Sequence, residues 1–437
     1  DAADGRADLR GRIAAERLAL AGALAEDAPR DLRADLTGWI VPGEDWGLRL
    51  QDLTFFWRDH AIRPLNLAIR QPLGATGPPR FRVAGDHLDL ATLNAMALAT
   101  GLLPAKAAAA FAALNPTGSL RDPLVEIDLG DPRLVTHVQA TLDDVAVDSW
   151  HHSPIVRGVS GTLAASPRGG TLTLAGQGDI QLGFPTAYDQ LLRLGAARGS
   201  VAFSLDAGYR ALEVYGSDLE VTAPEGAGRI AAAFRLWQPL TPGDGGEMWL
   251  SAGIRDTNSD YARQFLPKVL DPQLQDWLAA ALGEMIIPEG AFLWRGPFAK
   301  EAGAARTIQV YVRAADADIR FDSQWPGLSG VDAQVTVDDT RVAGVANTAT
   351  IAEVPVQDVR FQSAPPPASG KPLLAVTATA TTQADRGLAV LAQSPLRERV
   401  AALRDWQAAG AVEVALDLAI PLAKDHRGER YRVNARL

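Results

Sequence analysis

The stretch Val412-Glu413-Val414-Ala415-Leu416-Asp417-Leu418-Ala419-Ile420 decides the fold class. Val412, Val414, Leu416, Leu418 and Ile420 occupy every second position, with Glu413, Ala415, Asp417 and Ala419 between them. Side chains alternate across a strand, so this pattern makes one apolar face and one more polar face. The same period runs through Ile308, Val310 and Val312 against Gln309, Tyr311 and Arg313, and through Val201, Phe203 and Leu205. Leu172 and Leu174, Ile230 to Leu236, Val331 to Val337 and Leu374 to Ala380 repeat it. Gly and Pro clusters at Pro167 to Gly170, Pro242 to Gly246, Pro326-Gly327 and Pro365 to Pro367 separate the runs. Buried parallel strands read as continuous apolar runs. One-sided alternation from Leu120 onward therefore predicts a mainly β chain with predominantly antiparallel pairing.

Helical signals interrupt the strands. Ala7 to Ala25 places Leu9, Ile13, Leu20 and Leu24 on a rough stripe and predicts an N-terminal helix. Leu90 to Leu114 predicts a helical region broken near Pro104. Asp271 as N-cap, Pro272 in the first turn and Leu274, Trp277, Leu278, Ala281 and Leu282 at helical spacing predict a helix over 271–282, stopped by Gly283. Ser394, Pro395, Leu396, Val400 and Leu403 predict another over 395–409, stopped by Gly410. The chain then divides into an N-terminal part (1–116), a β module with helix 271–282 (117–300) and a second β module with helix 395–409 (301–437).

Element order also suggests a degenerate repeat. Pro185 to Leu194, read as a short helix, precedes the strand Gly199 to Asp206, as 395–409 precedes Gly410 to Asp417. Gly158 to Leu163 and Gly327 to Val331 are matching strand openers upstream.

The 437 residues carry a net charge of -10, with 47% hydrophobic and 22% charged residues, which argues against wholesale disorder. No basic stripe is present, so the composition argues against a nucleic-acid partner. Without cysteine there is no disulfide, thiol or thiolate chemistry. Leu88 to Asn115 leans apolar but contains Asp89, Lys106 and Pro104, so it reads as no membrane span. A start at Asp1 and a strand-like run from Tyr431 to Leu437 read as an internal segment, with any membrane anchor of the intact protein outside it.

No local constellation nominates a reaction. His151-His152 would point to opposite strand faces, a poor two-ligand arrangement, and His60, His87, His137 and His426 are scattered. Asp256-Thr-Asn-Ser-Asp260 starts like a calcium loop, but Tyr261 and Pro267 stand where Gly and Glu are needed; capping of a helix over Tyr261 to Leu266 is the stronger reading. Gly176-Gln-Gly178 reads as a turn, and Gly158-Val-Ser160-Gly161 misses the nucleophile-elbow spacing. Asp143-Asp144 and Asp338-Asp339 are expected to end strands in turns. The chain is expected to be no enzyme, with no catalytic residue, no metal and no cofactor. Its ten tryptophans outnumber six tyrosines; sheet–helix packing explains them first, and positions at a groove rim second.

Ordered motifs carry a resemblance. Tyr261-Ala-Arg-Gln-Phe-Leu-Pro267 is followed by Leu274-Gln-Asp-Trp277-Leu278, Ala281-Leu282 and Gly290-Ala-Phe-Leu-Trp-Arg-Gly296. Leu114-Asn-Pro116-Thr-Gly118-Ser-Leu120, Pro326-Gly-Leu-Ser-Gly330 and Ser394-Pro-Leu396, with the strand reaching Ile420-Pro421-Leu422, add to it. Together they resemble the YhdP branch of the AsmA-like envelope proteins from about Leu48 to the end. The resemblance implies an elongated, twisted sheet curved into a U-shaped apolar groove with a few short covering helices. It further implies a periplasmic segment of a protein anchored in the inner membrane, moving phospholipid to the outer membrane. Partners would be phospholipid acyl chains, and both membranes through parts outside this chain. Groove candidates are then Leu172, Leu174, Val201, Phe203, Leu205, Ile308, Val310, Val312, Val412, Val414, Leu416 and Leu418. The alternative is a non-enzymatic AsmA-like scaffold for outer-membrane assembly or protein insertion, receiving partner strands at exposed sheet edges.

Overall fold

The computed structural model describes residues 5–17, 28–58, 60–73, 77–99, 103, 105–131, 135–150, 153–176, 178–240, 245–268, 270–299, 303–364, 373–398, 409–421 and 430–436. Contacts group the chain into two compact units. Asp1–Pro185, Leu191–Val221 and Trp237–Asp244 make the first; Thr186–Gln190, Thr222–Leu236 and Gly245–Leu437 make the second.

The first unit runs β1 (Ala7–Arg17), β2 (Arg30–Val41), β3 (Asp45–Trp57), β4 (His60–Ala61), β5 (Leu65–Pro72), β6 (Arg80–Gly85) and β7 (His87–Asp89). Helices α1 (Leu90–Ala99) and α2 (Ala105–Leu114) follow, then β8 (Thr117–Asp128), β9 (Val135–Val147), β10 (Ile155–Ser166), β11 (Gly169–Ala175), β12 (Ile180–Gly183), β13 (Leu192–Leu205) and β14 (Ala211–Thr222). Pairing is antiparallel between successive neighbours. β6 and β7 both pair with β8, and β11 and β12 both lie between β10 and β13, so each couple acts as one broken strand.

After β15 (Arg229–Pro239), the second unit continues through β16 (Glu247–Asn258), α3 (Ser259–Arg263), α4 (Pro272–Ala281), β17 (Ile286–Pro297), β18 (Thr307–Ile319) and β19 (Leu328–Asp338). It ends with β20 (Arg341–Ile351), β21 (Val354–Ala364), β22 (Leu373–Gln383), α5 (Ala384–Ala392), β23 (Ala411–Pro421) and β24 (Arg430–Arg436). From β16 to β24 each strand again pairs antiparallel with the next.

Such a meander sends successive connections to opposite rims of its sheet. In the first unit the β2–β3, β8–β9 and β10–β11 turns share one rim, and α1 and α2 lie on the other. In the second unit β17–β18 and β19–β20 turn at one rim, while α3, α4 and α5 interrupt connections at the other.

Aspartates set the shape of the strands near the helix-bearing rim. Asp31, Asp52, Asp122, Asp144, Asp218, Asp256, Asp316 and Asp358 lie inside strands with φ between 48° and 54°. Asp tolerates this left-handed conformation better than branched residues do. Pair registers break beside Asp31, Asp52, Asp122, Asp144, Asp316 and Asp358, which marks β-bulges that bend the strand and increase its twist. Glycines accommodate two of the displaced carbonyls: a β-carbon on Gly118 would sit 2.4 Å from the Asp144 oxygen, and one on Gly199 2.5 Å from that of Asp218.

Below this line the sheet is closed by small residues and helices. Met285, Ile287, Ala314, Ala317, Val331, Ala333, Ala346 and Ala349 form a buried cluster, with Ala262 and Leu282 packed on it. Asn258 caps α3 by accepting the Tyr261 N–H at 3.0 Å, and Asp271 accepts the Leu274 N–H at 3.3 Å at the start of α4. In the first unit Ala34, Leu53 and Leu65 make a smaller core against Leu32, Leu50, Phe55, Ile62 and Leu67.

Several expectations are corrected. Ala7–Arg17 is a strand, not a helix: Leu9, Gly11 and Ile13 pair with Gly38, Leu36 and Ala34, and sheet pairing overrides the helix-forming composition; residues 18–25 of that expected helix lie outside the described residues. Pro185 to Leu194 is not helical; Leu192 already opens β13, and the Lys268 N–H donates to the Ala187 carbonyl at 2.8 Å, holding the connection against the turn before α4. Asp143-Asp144 lies within β9 at a bulge instead of ending it. Asp417 sits mid-strand opposite Thr377, whereas Asp206 does follow the end of its strand. Of the expected helix 395–409, Pro395–Glu398 form a 3-10 turn, and 399–408 lie outside the described residues, as do His151, His152 and His426. The helix over 384–392 had no sequence signal strong enough to nominate it.

Candidate functional site

Directly opposed residues of antiparallel strands point to the same face. Following the registers across the first unit therefore traces a lateral row: Leu9, Gly38, Leu48, Ile69, Val83, Val125, Val138, Ala165, Gly170 and Phe203. Strands lie about 4.8 Å apart, so this uncharged row spans on the order of 40 Å. A neighbouring row on the same face links Ala140, Leu163, Leu172 and Val201. Another links Leu88, Leu120, Leu142, Gly161, Leu174 and Gly199. Leu205 follows Phe203 by strand alternation, just beyond the paired register.

The second unit repeats the arrangement. Ile254, Gly290, Val312, Val335, Gly344, Phe361, Val376 and Leu418 form one row. Val312 and Leu418, far apart in sequence, thus belong to a single lateral line. Val310 lies in the next row with Ala252, Phe292, Val337 and Val342, and Ile308 beyond it with Trp294 and Leu250. Toward the helix rim, Leu416 pairs with Ala378 and Val414 with Ala380. Val412 pairs with Thr382 and is only 6% exposed, so it belongs to the closed part of the sheet.

Most side chains of the long rows are half-buried, and Leu9 at the first strand is 60% exposed. The intervening rows are charged or polar. Asp8, Trp39, Gly47, Arg70, Arg82, Glu126 and His137 alternate with the first long row. Arg255, Glu289, Arg313, Gln334, Val345, Arg360, Thr377 and Asp417 alternate with that of the second unit. On these faces Arg82 meets Glu126 at 2.9 Å and Arg12 meets Asp35 at 2.9 Å, while Arg70 pairs with Asp45. Exposed pairs of this kind contribute little stability; their effect is to hold charge on one side. Asp35 raises the Arg12 guanidinium above its ordinary value, and the Arg157 hydrogen bond holds the Asp148 carboxyl below its own.

The tryptophans divide between these settings. Trp57 is core, Trp294 lies on the apolar face with the Arg306 guanidinium 5.2 Å from its ring centroid, and Trp39 covers Gly47 on the charged face. Of the bulge aspartates the sequence singles out Asp144, as a turn, and leaves Asp31, Asp52, Asp122, Asp316 and Asp358 unmarked except as polar residues interrupting apolar alternation.

Among the described residues no cluster of three or more His, Asp or Glu could hold a metal ion, and no helix is long and apolar enough to cross a membrane. Asp256 lies inside β16 with φ 54° and Asn258 caps α3, so the calcium-loop-like segment is used structurally. The geometry thus offers an uncharged apolar band across the strands of each unit, backed by a charged face.

Neither a curated protein nor a solved structure matches the chain. A family model described as YhdP protein matches residues 8–437. With nearly the whole sequence inside that match, the chain belongs to the YhdP family of cell-envelope proteins.

Proposed function

We propose that this chain is a segment of a phospholipid transport bridge between the inner and outer membranes, shielding acyl chains along the apolar band of each unit. The observation that carries this reading is the unbroken run of uncharged, mostly half-buried residues from Leu9 to Phe203 in one unit and from Ile254 to Leu418 in the other. Family membership supports it.

Exposing an acyl chain of about 16 carbons to water costs on the order of 13 kcal/mol, at ~0.8 kcal/mol per methylene. A bland apolar track lowers that cost without holding the lipid at one point, because no fixed charge along the row would anchor it. Residues that are neither fully buried nor fully exposed suit such a track, since a mobile ligand can cover them without unpacking the core.

Photocrosslinking amino acids at Val312, Val335 or Leu418 in the intact protein should capture phospholipid, whereas placement at Arg313 or Gln334, on the opposite face, should not. Equal capture from both faces, or none from either, would refute the proposal.

A further inference from the structure

The apolar band of each unit has two unlike ends. On β18 the end near the helices is sealed: Ala314 and Ala317 belong to the buried cluster, at 6% and 0% exposure. Toward the helix-free rim Val312, Val310 and Ile308 are only half-buried. The stretch between Ile308 and Ala314 spans about 20 Å, at ~3.3 Å per residue. The acyl layer of one leaflet is about 15 Å thick, half of a hydrocarbon core of about 30 Å. A lipid tail laid along the strand therefore fits between the sealed end and the open rim.

That rim carries aromatic side chains with satisfied polar atoms. Trp294 stands in register between Leu250 and Ile308, and its ring centroid lies 6.1 Å from that of the exposed Phe298. Its indole N–H donates to the Gly296 carbonyl at 3.2 Å. The half-buried Arg306 holds its guanidinium 5.2 Å from the same ring centroid and donates to the Ala299 carbonyl at 3.3 Å. Among the described residues no carboxylate pairs with Arg306. The first unit repeats the aromatic part at its own helix-free rim. Trp46, in register with Ile40 and Gln71, lies 6.3 Å from Phe81 and donates its indole N–H to Gln71 Oε1 at 2.7 Å. Ala34, Leu53 and Leu65 close the other end of that unit.

A tryptophan with an apolar body and a bonded N–H suits the boundary between an apolar phase and water. A planar guanidinium held on such a ring, with no carboxylate to neutralise it, presents donors that match a phosphate. We infer that phospholipid lies along the strands with its acyl ends toward the helix-bearing rim and its phosphate at the helix-free rim, where Arg306 binds it in the second unit. This rests on the transport reading above and adds an orientation to it: within each unit, head groups pass along one rim only.

The test loads the intact protein with phosphatidylglycerol carrying a diazirine either on the head group or at the end of one acyl chain. Crosslinked residues are then mapped by mass spectrometry. The head-group probe should label the surroundings of Trp294, Phe298 and Trp46, and the acyl-end probe those of Val312 and Val335. Arg306→Gln should lower head-group labelling at Trp294 about threefold and leave acyl-end labelling unchanged. Even labelling along the strands by both probes, or head-group labelling at the helix-bearing end, would overturn the orientation and leave the transport reading standing. Failure of both probes to label either band would overturn the two together.

Discussion

Phe361 lies against Gly344 on the neighbouring strand: a β-carbon on that glycine would fall 2.3 Å from Cζ of the ring and 2.7 Å from the Gln334 carbonyl oxygen. The ring therefore occupies the space that a side chain would take, and it fills a gap in the apolar row. Gly344→Ala should lower stability by about 1–3 kcal/mol, as overpacking does, read as a lower urea midpoint. Adding Phe361→Leu should restore part of the loss, because the carbonyl contact remains. An unchanged midpoint in the single variant would show that the ring is not confined there.

The bulges make a backbone prediction. Asp316 has φ 48° beside the pair Ala317 and Val331, which are 0% and 2% exposed. Asp316→Val should cost about 1–2 kcal/mol, since branched side chains resist left-handed backbone. Asp316→Gly and Asp316→Asn should stay close to the parent. If Val proves as stable as Gly in denaturant melts, the left-handed bulge is not what the position requires.

Two valines on one strand separate core from open face. Val331 belongs to the buried cluster, whereas Val335 sits half-buried in the long row. Val331→Asp should unfold the second unit, because an unpaired carboxylate has no water there. Val335→Asp should fold with a nearly unchanged circular dichroism melt, yet reduce lipid capture by a crosslinker at Leu418. Similar unfolding by both would mean that the row is sealed.

A pH effect follows from the turn after β13. The Asp206 carboxylate accepts the backbone N–H of Ala211 at 3.0 Å and that of Arg210, and these bonds hold its carboxyl below the ordinary value. A folded-state value below the unfolded one means that the contribution is present above the usual carboxylate range. It is lost as pH falls through the lower folded value. The stability gap between the parent and Asp206→Asn should therefore be widest near pH 7 and shrink below about pH 4. A gap that does not change with pH would remove the carboxylate from this role.

Much of the fold was legible because alternation needs no tertiary information. Val412 to Ile420 could pair productively in only one facing. The first strand was not legible: Ala, Arg, Leu and Glu between Ala7 and Arg17 favour a helix in isolation, and only pairing with Arg30–Val41 settles the matter. Groove candidates such as Val312 and Leu418 could be chosen by pattern, but their membership in one row depends on the register of every pairing between β18 and β23. Bulges at Asp316, Asp358 and near Asn347 shift that register locally, so counting residues between strands would not have predicted it. Val412 shows the same limit, since alternation cannot tell a buried end of a strand from its open middle.

Alternating connections impose parity on how such a chain can change length. Gaining or losing a whole hairpin alters sheet width by roughly 10 Å and leaves every later helix on its original rim. A single added strand would send all later connections to the opposite rim, carrying helices and bulges with them. Descendants of this architecture should therefore differ by even numbers of strands, which makes the hairpin, and not the strand, its heritable unit of length.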